Sequence, residues 1–316
     1  MTEGLDLHTV RIIRAIADAG SITAAAEALG YSQPALSQHL RRAEHRLGVP
    51  LVLRIGRSVQ LTEAGQVVAR HSGTILAALA AADSELGQVA DRTTGTVRMA
   101  GFPSASSTIV PALMARLAAD YPGLKLHYTE AEPPEALALL SHGSIDIALT
   151  FSYPGDPSDP HSDLAGVSLT ELFADPMRLV LPAGHPHSTE GTLDLADFHT
   201  EKWIAGCPLC RGHLLAACGA QGFSPRITHA TDNSVAVLGL VSAGVGIALQ
   251  PQLALERLDV PDGTSIHPVA PDNDRRVRAA YLVGSAAVPA IDATLTALQT
   301  VTAAWRDQPS QRNNAS

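Results

Sequence analysis

SQPALSQHLRRAEHRLG, residues Ser32 to Gly48, carries the marks of one short amphipathic helix with both ends specified. The Ser32 hydroxyl can accept from backbone N–H groups left orphaned at a helix start, and Pro34 falls in the first turn. Ala35, Leu36, Leu40, Ala43 and Leu47 recur three or four apart and form one apolar stripe, and Gly48 supplies the stop. The opposite side is expected to carry Gln33, Ser37, Gln38, Arg41, Arg42 and Arg46, side chains suited to base edges and phosphates. Upstream, Ser21 caps a shorter helix running to Leu29, and Gly30-Tyr31 reads as the turn between the two. The pattern is a helix-turn-helix whose second helix enters a DNA groove.

Working outward, Leu5, Val10, Ile13, Ile16 and Ala17 mark a first helix that ends at Gly20. After Gly48, short alternating apolar runs on either side of Gly56 predict a two-stranded wing, with Arg54 and Arg57 placed to reach phosphate or the minor groove. Thr62-Glu-Ala-Gly65 opens a helix expected to reach Arg92, with Val68, Ile75, Leu76, Leu79, Ala82, Leu86 and Val89 on one side. Such a helix spans about 45 Å, too long to pack on the head alone. Its near-heptad stripe calls for a partner helix and predicts dimerisation. Charge agrees: residues 30–60 hold five arginines against Glu44, a local +4, whereas residues 66–316 hold 15 basic and 25 acidic side chains. A basic patch on an acidic body favours one docking face on DNA.

Ser21, Ala25-Ala26, Leu29, Ser32-Gln33-Pro34-Ala35, Ser37, Glu44, Leu47-Gly48, Pro50-Leu51, Arg54, Leu61-Thr62 and Ala64-Gly65 together resemble the N-terminal signature of LysR-type transcriptional regulators. Val52 departs from the pattern, which usually has Phe there. The resemblance implies an α+β chain in two parts: a winged helix-turn-helix at 1–62, a linker helix at 63–92, and an effector domain at 95–306 shaped like periplasmic binding proteins. It implies operator DNA, a small-molecule effector and a second copy of the chain as partners, a tetramer as the assembly, and contact with RNA polymerase as an option. Gln33, Ser37, Gln38 and Arg41 would lie nearest the bases and Ser21, Thr23, Arg42, Arg54 and Arg57 on phosphate, with Ser32, Pro34 and Ala35 also in the DNA-binding set.

Beyond Gly95, strands alternate with helices of 10–15 residues, the mark of βαβ units. Strands are expected at 96–100, 125–130, 145–150, 178–181, 203–205, 226–230, 246–249 and 278–283, and helices at 106–120, 133–142, 209–221, 234–243 and 291–305. Crossovers near Val167 and His267 would make 95–166 plus 268–305 one lobe and 167–267 the other, and residues 307–316 are expected to fray. In open α/β sheets ligands bind beyond the strand C-termini, beside helix N-termini. The candidates are Pro103, Ser104, Ser106, Ser107, Thr150, Phe151, Gly206, Cys207, Thr231, Asn233 and Leu249, and the helix dipoles there favour a small organic anion.

Cys207-Pro-Leu-Cys210 with His213, plus Cys218, admits three readings: buried fillers, a redox pair or metal ligands. The resemblance adds that some LysR-type regulators sense peroxide through paired cysteines in this segment. A structural metal site lacks a fourth ligand, and no cofactor is expected. Enzyme motifs are missing: G-x-S-x-G, H-E-x-x-H and phosphate loops are all absent. Three cysteines, no secretory signal and no apolar run of 18 residues lead to the expectation of a cytoplasmic protein without membrane contact.

Overall fold

A computed structural model describes residues 4–55, 58–88, 94–156, 159–162, 164–189, 191–271 and 273–306. Side-chain caps start the first three helices. Asp6 accepts from the Thr9 N–H at 2.6 Å ahead of α1 (Leu7–Ala19), and Ser21 accepts from Ala24 at 3.1 Å ahead of α2 (Ile22–Ala28). Ser32 accepts from Ala35 at 3.4 Å ahead of α3 (Gln33–Leu47). Gly20 and Gly48, with φ of 64° and 73°, end α1 and α3 in the left-handed region that glycine enters without strain. The apolar stripes close on one core that includes Val10, Ile13, Ile16, Leu36, Leu40 and Leu51. Each such side chain contributes roughly 1.5–3 kcal/mol by leaving water. The wing follows as β1 (Val52–Ile55) antiparallel to β2 (Ser58–Leu61). Arg57, the expected wing contact, lies outside the described residues.

Thr62 starts α4 (Glu63–Gln88) by accepting from the Gly65 N–H at 3.0 Å, while its hydroxyl donates to the Pro50 carbonyl at 2.7 Å. A Cβ at Gly65 would lie 2.1 Å from the Leu51 carbonyl oxygen, so the wing root and the linker helix touch backbone to backbone. The expected continuation to Arg92 lies outside the described residues beyond Gln88.

The C-terminal part contains two sheets. The first has the order β4 (Leu124–Glu130), β3 (Gly95–Gly101), β5 (Ile147–Ser152), β13 (Arg275–Leu282), β6 (Val167–Asp175). It packs with α5 (Pro103–Ser107), α6 (Ile109–Asp120), α7 (Pro133–Ser141) and α11 (Pro289–Arg306). The second has the order β10 (Arg226–Ala230), β9 (Lys202–Ala205), β11 (Ile247–Pro251), β7 (Met177–Pro182), β12 (Thr264–Ala270), β8 (Leu193–Asp194), with α8 (Pro208–Ala220), α9 (Ser234–Ser242) and α10 (Gln252–Leu255). The βαβ pairs are parallel as expected, but β13 runs antiparallel to β5 and β6, and β7 antiparallel to β11 and β12.

The lobe boundaries need correction. Val167–Asp175 pairs with β13 along its length and so belongs to the first lobe, which moves the first crossing from Val167 to Pro176. The return crossing lies between Ala270 and Arg275, after β12, and not at His267. The reason is local: VSLTELFAD alternates as an edge strand does, but its partner β13 is a hundred residues away in sequence. The helix expected over 106–120 breaks at Thr108 (φ −121°, ψ −67°) into α5 and α6.

The linker helix is not free of the effector lobes. A Cβ at Gly73 would sit 2.2 Å from the Ser141 carbonyl oxygen at the end of α7. Arg14 of α1, buried beside that contact, donates to Ser72 at 3.4 Å and to the Ser141 carbonyl at 3.5 Å.

Candidate functional site

On the head, the outward face of α3 forms a shallow open groove lined by Pro34, Gln38, Arg41, Arg42 and His45. Gln33 is also exposed, and Thr23 lies exposed in the first turn of α2. Two residues expected on this face turn inward. Ser37 is 3% exposed and accepts from the Gln33 side chain at 3.1 Å, so it orients Gln33 from below. Arg46 is drawn off by Asp6, with which it forms a short ion pair, and by Thr9 at 3.3 Å. Sequence periodicity placed Arg46 on the polar side but could not show that the cap residue of α1 competes for it. Glu44, given no role above beyond its charge and its place in the signature, accepts from the Leu51 and Val52 N–H groups at 2.8 and 3.2 Å and ties α3 to the wing.

The second site lies where the two chain crossings meet. Arg275, 2% exposed, donates through Nε to Asp175 at 2.8 Å and through Nη2 to Ser104 at 2.7 Å. Its guanidinium also sits 4.5 Å from the Phe151 ring centroid and 4.9 Å from that of Phe102. Asp175 accepts in turn from the Leu253 N–H at the start of α10, at 2.9 Å, so the carboxylate of this first-lobe pair reaches across to the second lobe. Burial pushes the Asp175 carboxyl up, against the pull of Arg275. Beside the pair lies an interlobe cleft of about 50 Å³.

Of the residues expected there, Pro103, Ser104, Phe151, Gly206 and Cys207 line the cleft. Ser106 instead pairs with the Tyr128 hydroxyl at 2.8 Å, and Ser107 donates to the Ser104 carbonyl at 3.2 Å. Thr150 contacts His161 Nε2 at 2.8 Å, and Thr231 and Asn233 hold the turn and cap of α9. Leu249 is buried in the core. Asp232, Ser234, Gln250 and Pro251, at the strand ends the sequence pointed to, line the cleft as well, whereas sequence reasoning missed Phe102, Glu132, Cys210 and Arg275 as cleft residues. Glu132 was findable, because it follows β4 as Ser104 follows β3. Arg275 was not, since its place beside the cleft follows from the long-range register of β13 on β6, which sets it opposite Asp175.

Charge in the cleft runs against the expected anion. Glu132 and Asp232 line it, while the guanidinium of Arg275 is already engaged by Asp175. Glu132 Oε2 is buried without a hydrogen-bond partner. Burial pushes the Glu132 carboxyl up, partly offset by the charge of Arg275.

Cys207 Sγ and Cys210 Sγ lie 3.2 Å apart, and the Tyr153 hydroxyl donates to Cys210 at 3.5 Å. The bond from Cys207, with help from Arg275, holds the Cys210 thiol below its ordinary value despite burial, whereas Cys207 is raised. The acidic thiol is therefore Cys210, one turn inside α8, and not the cap residue Cys207. Burial pushes Cys218 up to about 12. His213 stacks flat on Tyr153 at 3.8 Å, and burial pushes it down to about 4. Among the described residues, no three His, Cys, Asp or Glu side chains are grouped to hold a metal ion, so the metal reading of Cys207, Cys210 and His213 has no geometric support.

Comparison with known proteins assigns both parts of the chain to one family. Residues 7–66 match the family described as "Bacterial regulatory helix-turn-helix protein, lysR family", and residues 90–303 match "LysR substrate binding domain". A hydrogen peroxide-inducible genes activator of Dickeya chrysanthemi is 27% identical, covering 89% of this chain and 90% of its own. The transcriptional regulator ShiR of Corynebacterium glutamicum is 32% identical, covering 74% of this chain and 79% of its own. Among solved structures, a full-length OxyR variant from Pseudomonas aeruginosa superposes with a TM-score of 0.70 at 22% identity, covering 95% of each chain. Full-length CbnR complexed with its target DNA gives 0.53 at 20%, covering 94% of this chain and 100% of its own.

Proposed function

The chain belongs to the LysR family of DNA-binding, effector-modulated transcription regulators, and on that premise we propose how its own residues divide the work. Gln33, Gln38 and Arg41 read base edges from α3, with Pro34 and Ala35 at the groove floor and Ser37 orienting Gln33 from beneath. Ser21, Thr23, Ser32, Arg42, Arg54 and Arg57 set register on phosphate. One observation carries this assignment: the face of α3 bearing Gln38, Arg41 and Arg42 is open, while Leu36 and Leu40 are sunk in the head.

The half-covered stripe of Ile75, Leu76 and Leu79 on α4 supports pairing with a second copy. Paired heads then meet two half-sites of a partly palindromic operator in the cytoplasm. An effector between the lobes shifts their orientation. The Gly73–Ser141 contact, flanked by Arg14, passes that shift to the head and on to promoter bending or polymerase contact. The family consists of regulators and not enzymes, and no catalytic role is assigned to any residue here. DNase footprinting of the intergenic DNA beside the gene tests the reading. Protection of a symmetric site by the wild type, lost in Arg41→Ala, supports it, and no protection of any site refutes it.

A second reading rests on the 3.2 Å approach of Cys207 and Cys210. A peroxide would oxidise the Cys210 thiolate to a sulfenate with loss of an alcohol or water. The Cys207 thiol would then displace hydroxide to close a disulfide, two electrons having passed to the peroxide. The relatives named as peroxide-inducible activators favour this input. Mass spectrometry after stoichiometric peroxide decides it: a loss of two hydrogens mapped to the pair supports the reading, and an unmodified pair removes it.

A further inference from the structure

We propose that the interlobe cleft takes a small organic cation, an amine or guanidine, held between Glu132 of the first lobe and Asp232 of the second. This rests on the effector-modulated reading above and names the chemistry of its ligand. The cleft has two carboxylates facing it from opposite lobes and one guanidinium, and that guanidinium is spent on Asp175, on Ser104 and on the rings of Phe102 and Phe151. An anion placed there would meet Glu132 and Asp232, and Arg275, the cation lining the cleft, is already paired with Asp175. A cation with N–H donors answers both and satisfies Glu132 Oε2, which is buried without a partner.

The backbone argues the same way. Helix N-termini attract anions through free N–H groups, and here several of those groups are missing or used. α7 opens with Pro133 and Pro134, and α5 and α8 open with Pro103 and Pro208, none of which has an N–H. At α9 the Asn233 side chain takes the Val235 and Ala236 N–H groups at 3.0 and 3.2 Å, and at α8 Cys207 Sγ takes the Cys210 N–H at 3.5 Å. Glu132, although at the cap position of α7, makes no side-chain cap bond, so its carboxylate is not consumed by the helix it precedes. The neighbouring charge that favours its ionised form is that of Arg275. The present volume of about 50 Å³ admits only one or two waters, so a ligand enters by opening the lobes at the crossings near Pro176 and Ala270. Closure on the ligand then couples occupancy to lobe orientation.

The test uses the full-length protein, bound to a fluorescent operator fragment and, separately, in thermal-shift assays. The probes are putrescine, agmatine and L-lysine against succinate and benzoate, all at constant ionic strength. The proposal expects the cations to raise the melting temperature and change operator affinity, and the carboxylates to do neither. Glu132→Gln and Asp232→Asn should each weaken the apparent cation affinity by about tenfold or more, while Glu132→Asp should retain part of it. A response to carboxylates alone overturns the cation assignment but leaves effector control standing. Cation binding undiminished in both amide variants, or no response to any cation, also overturns it. Failure of the regulator reading itself shows separately, as absence of specific binding to the operator fragment before any probe is added.

Discussion

Replacing Arg275 by Met leaves Asp175, itself 2% exposed, as a buried carboxylate without its cation. Breaking a buried pair from one side costs about 3–5 kcal/mol, because the survivor keeps its desolvation penalty and loses its partner. The hydrogen bond to Ser104 and the placement over two rings are lost as well, while Met retains much of the side-chain volume. For a domain of this size, about 2–4 °C per kcal/mol converts the loss to a fall in melting temperature on the order of 10 °C. The defect must also depend on pH. Asp175 already titrates above its ordinary value in the folded chain, and without Arg275 it titrates higher still. A carboxyl raised on folding favours the native state when protonated, so stability rises as pH falls through its folded pKa. The defect of Arg275→Met should therefore be largest above neutrality and shrink toward acid, as read by urea denaturation across pH. The double variant Asp175→Leu with Arg275→Met should recover part of the loss. A single-variant cost below about 1 kcal/mol, or one equal at all pH values, refutes the view that Asp175 depends on Arg275 as its buried counter-charge.

Arg41→Ala should lower specific operator affinity by about 1–3 kcal/mol if it reads a base. Arg46→Ala, paired with exposed Asp6, should cost no more than about 1 kcal/mol of stability and leave base discrimination unchanged, as checked by competition against mutated operators. Gly65→Ala drives a methyl into the Leu51 carbonyl and should destabilise the head by about 1–3 kcal/mol or more in chemical denaturation. His213, held neutral down to about 4 by burial, should make the effector lobes lose stability as pH falls from its unfolded value near 6.5 toward 4. His213→Gln should flatten that slope in thermal melts taken across the same range.

Much of the head was legible because its signals are local. Ser21, Ser32 and Thr62 start helices by bonds that span three residues, Gly20 and Gly48 end them by backbone conformation, and leucines at helical spacing need only one buried side. The sequence by itself therefore determined the helix-turn-helix, the wing, the βαβ rhythm and the strand ends at which Ser104, Gly206 and Cys207 meet the cleft. Tertiary structure decided the rest. Val167–Asp175 joined the first lobe because β13, a hundred residues on, offered it a complete antiparallel edge. Arg46 left the polar face because Asp6 came within reach, and Ser37 sank because the head closed over it. The acidic lining of the cleft was set by tertiary structure, because Glu132 and Asp232 arrive there from separate lobes. Hydrophobic period and capping act over a few residues of chain, whereas the pairing of charges depends on distances that exist only once the lobes have docked.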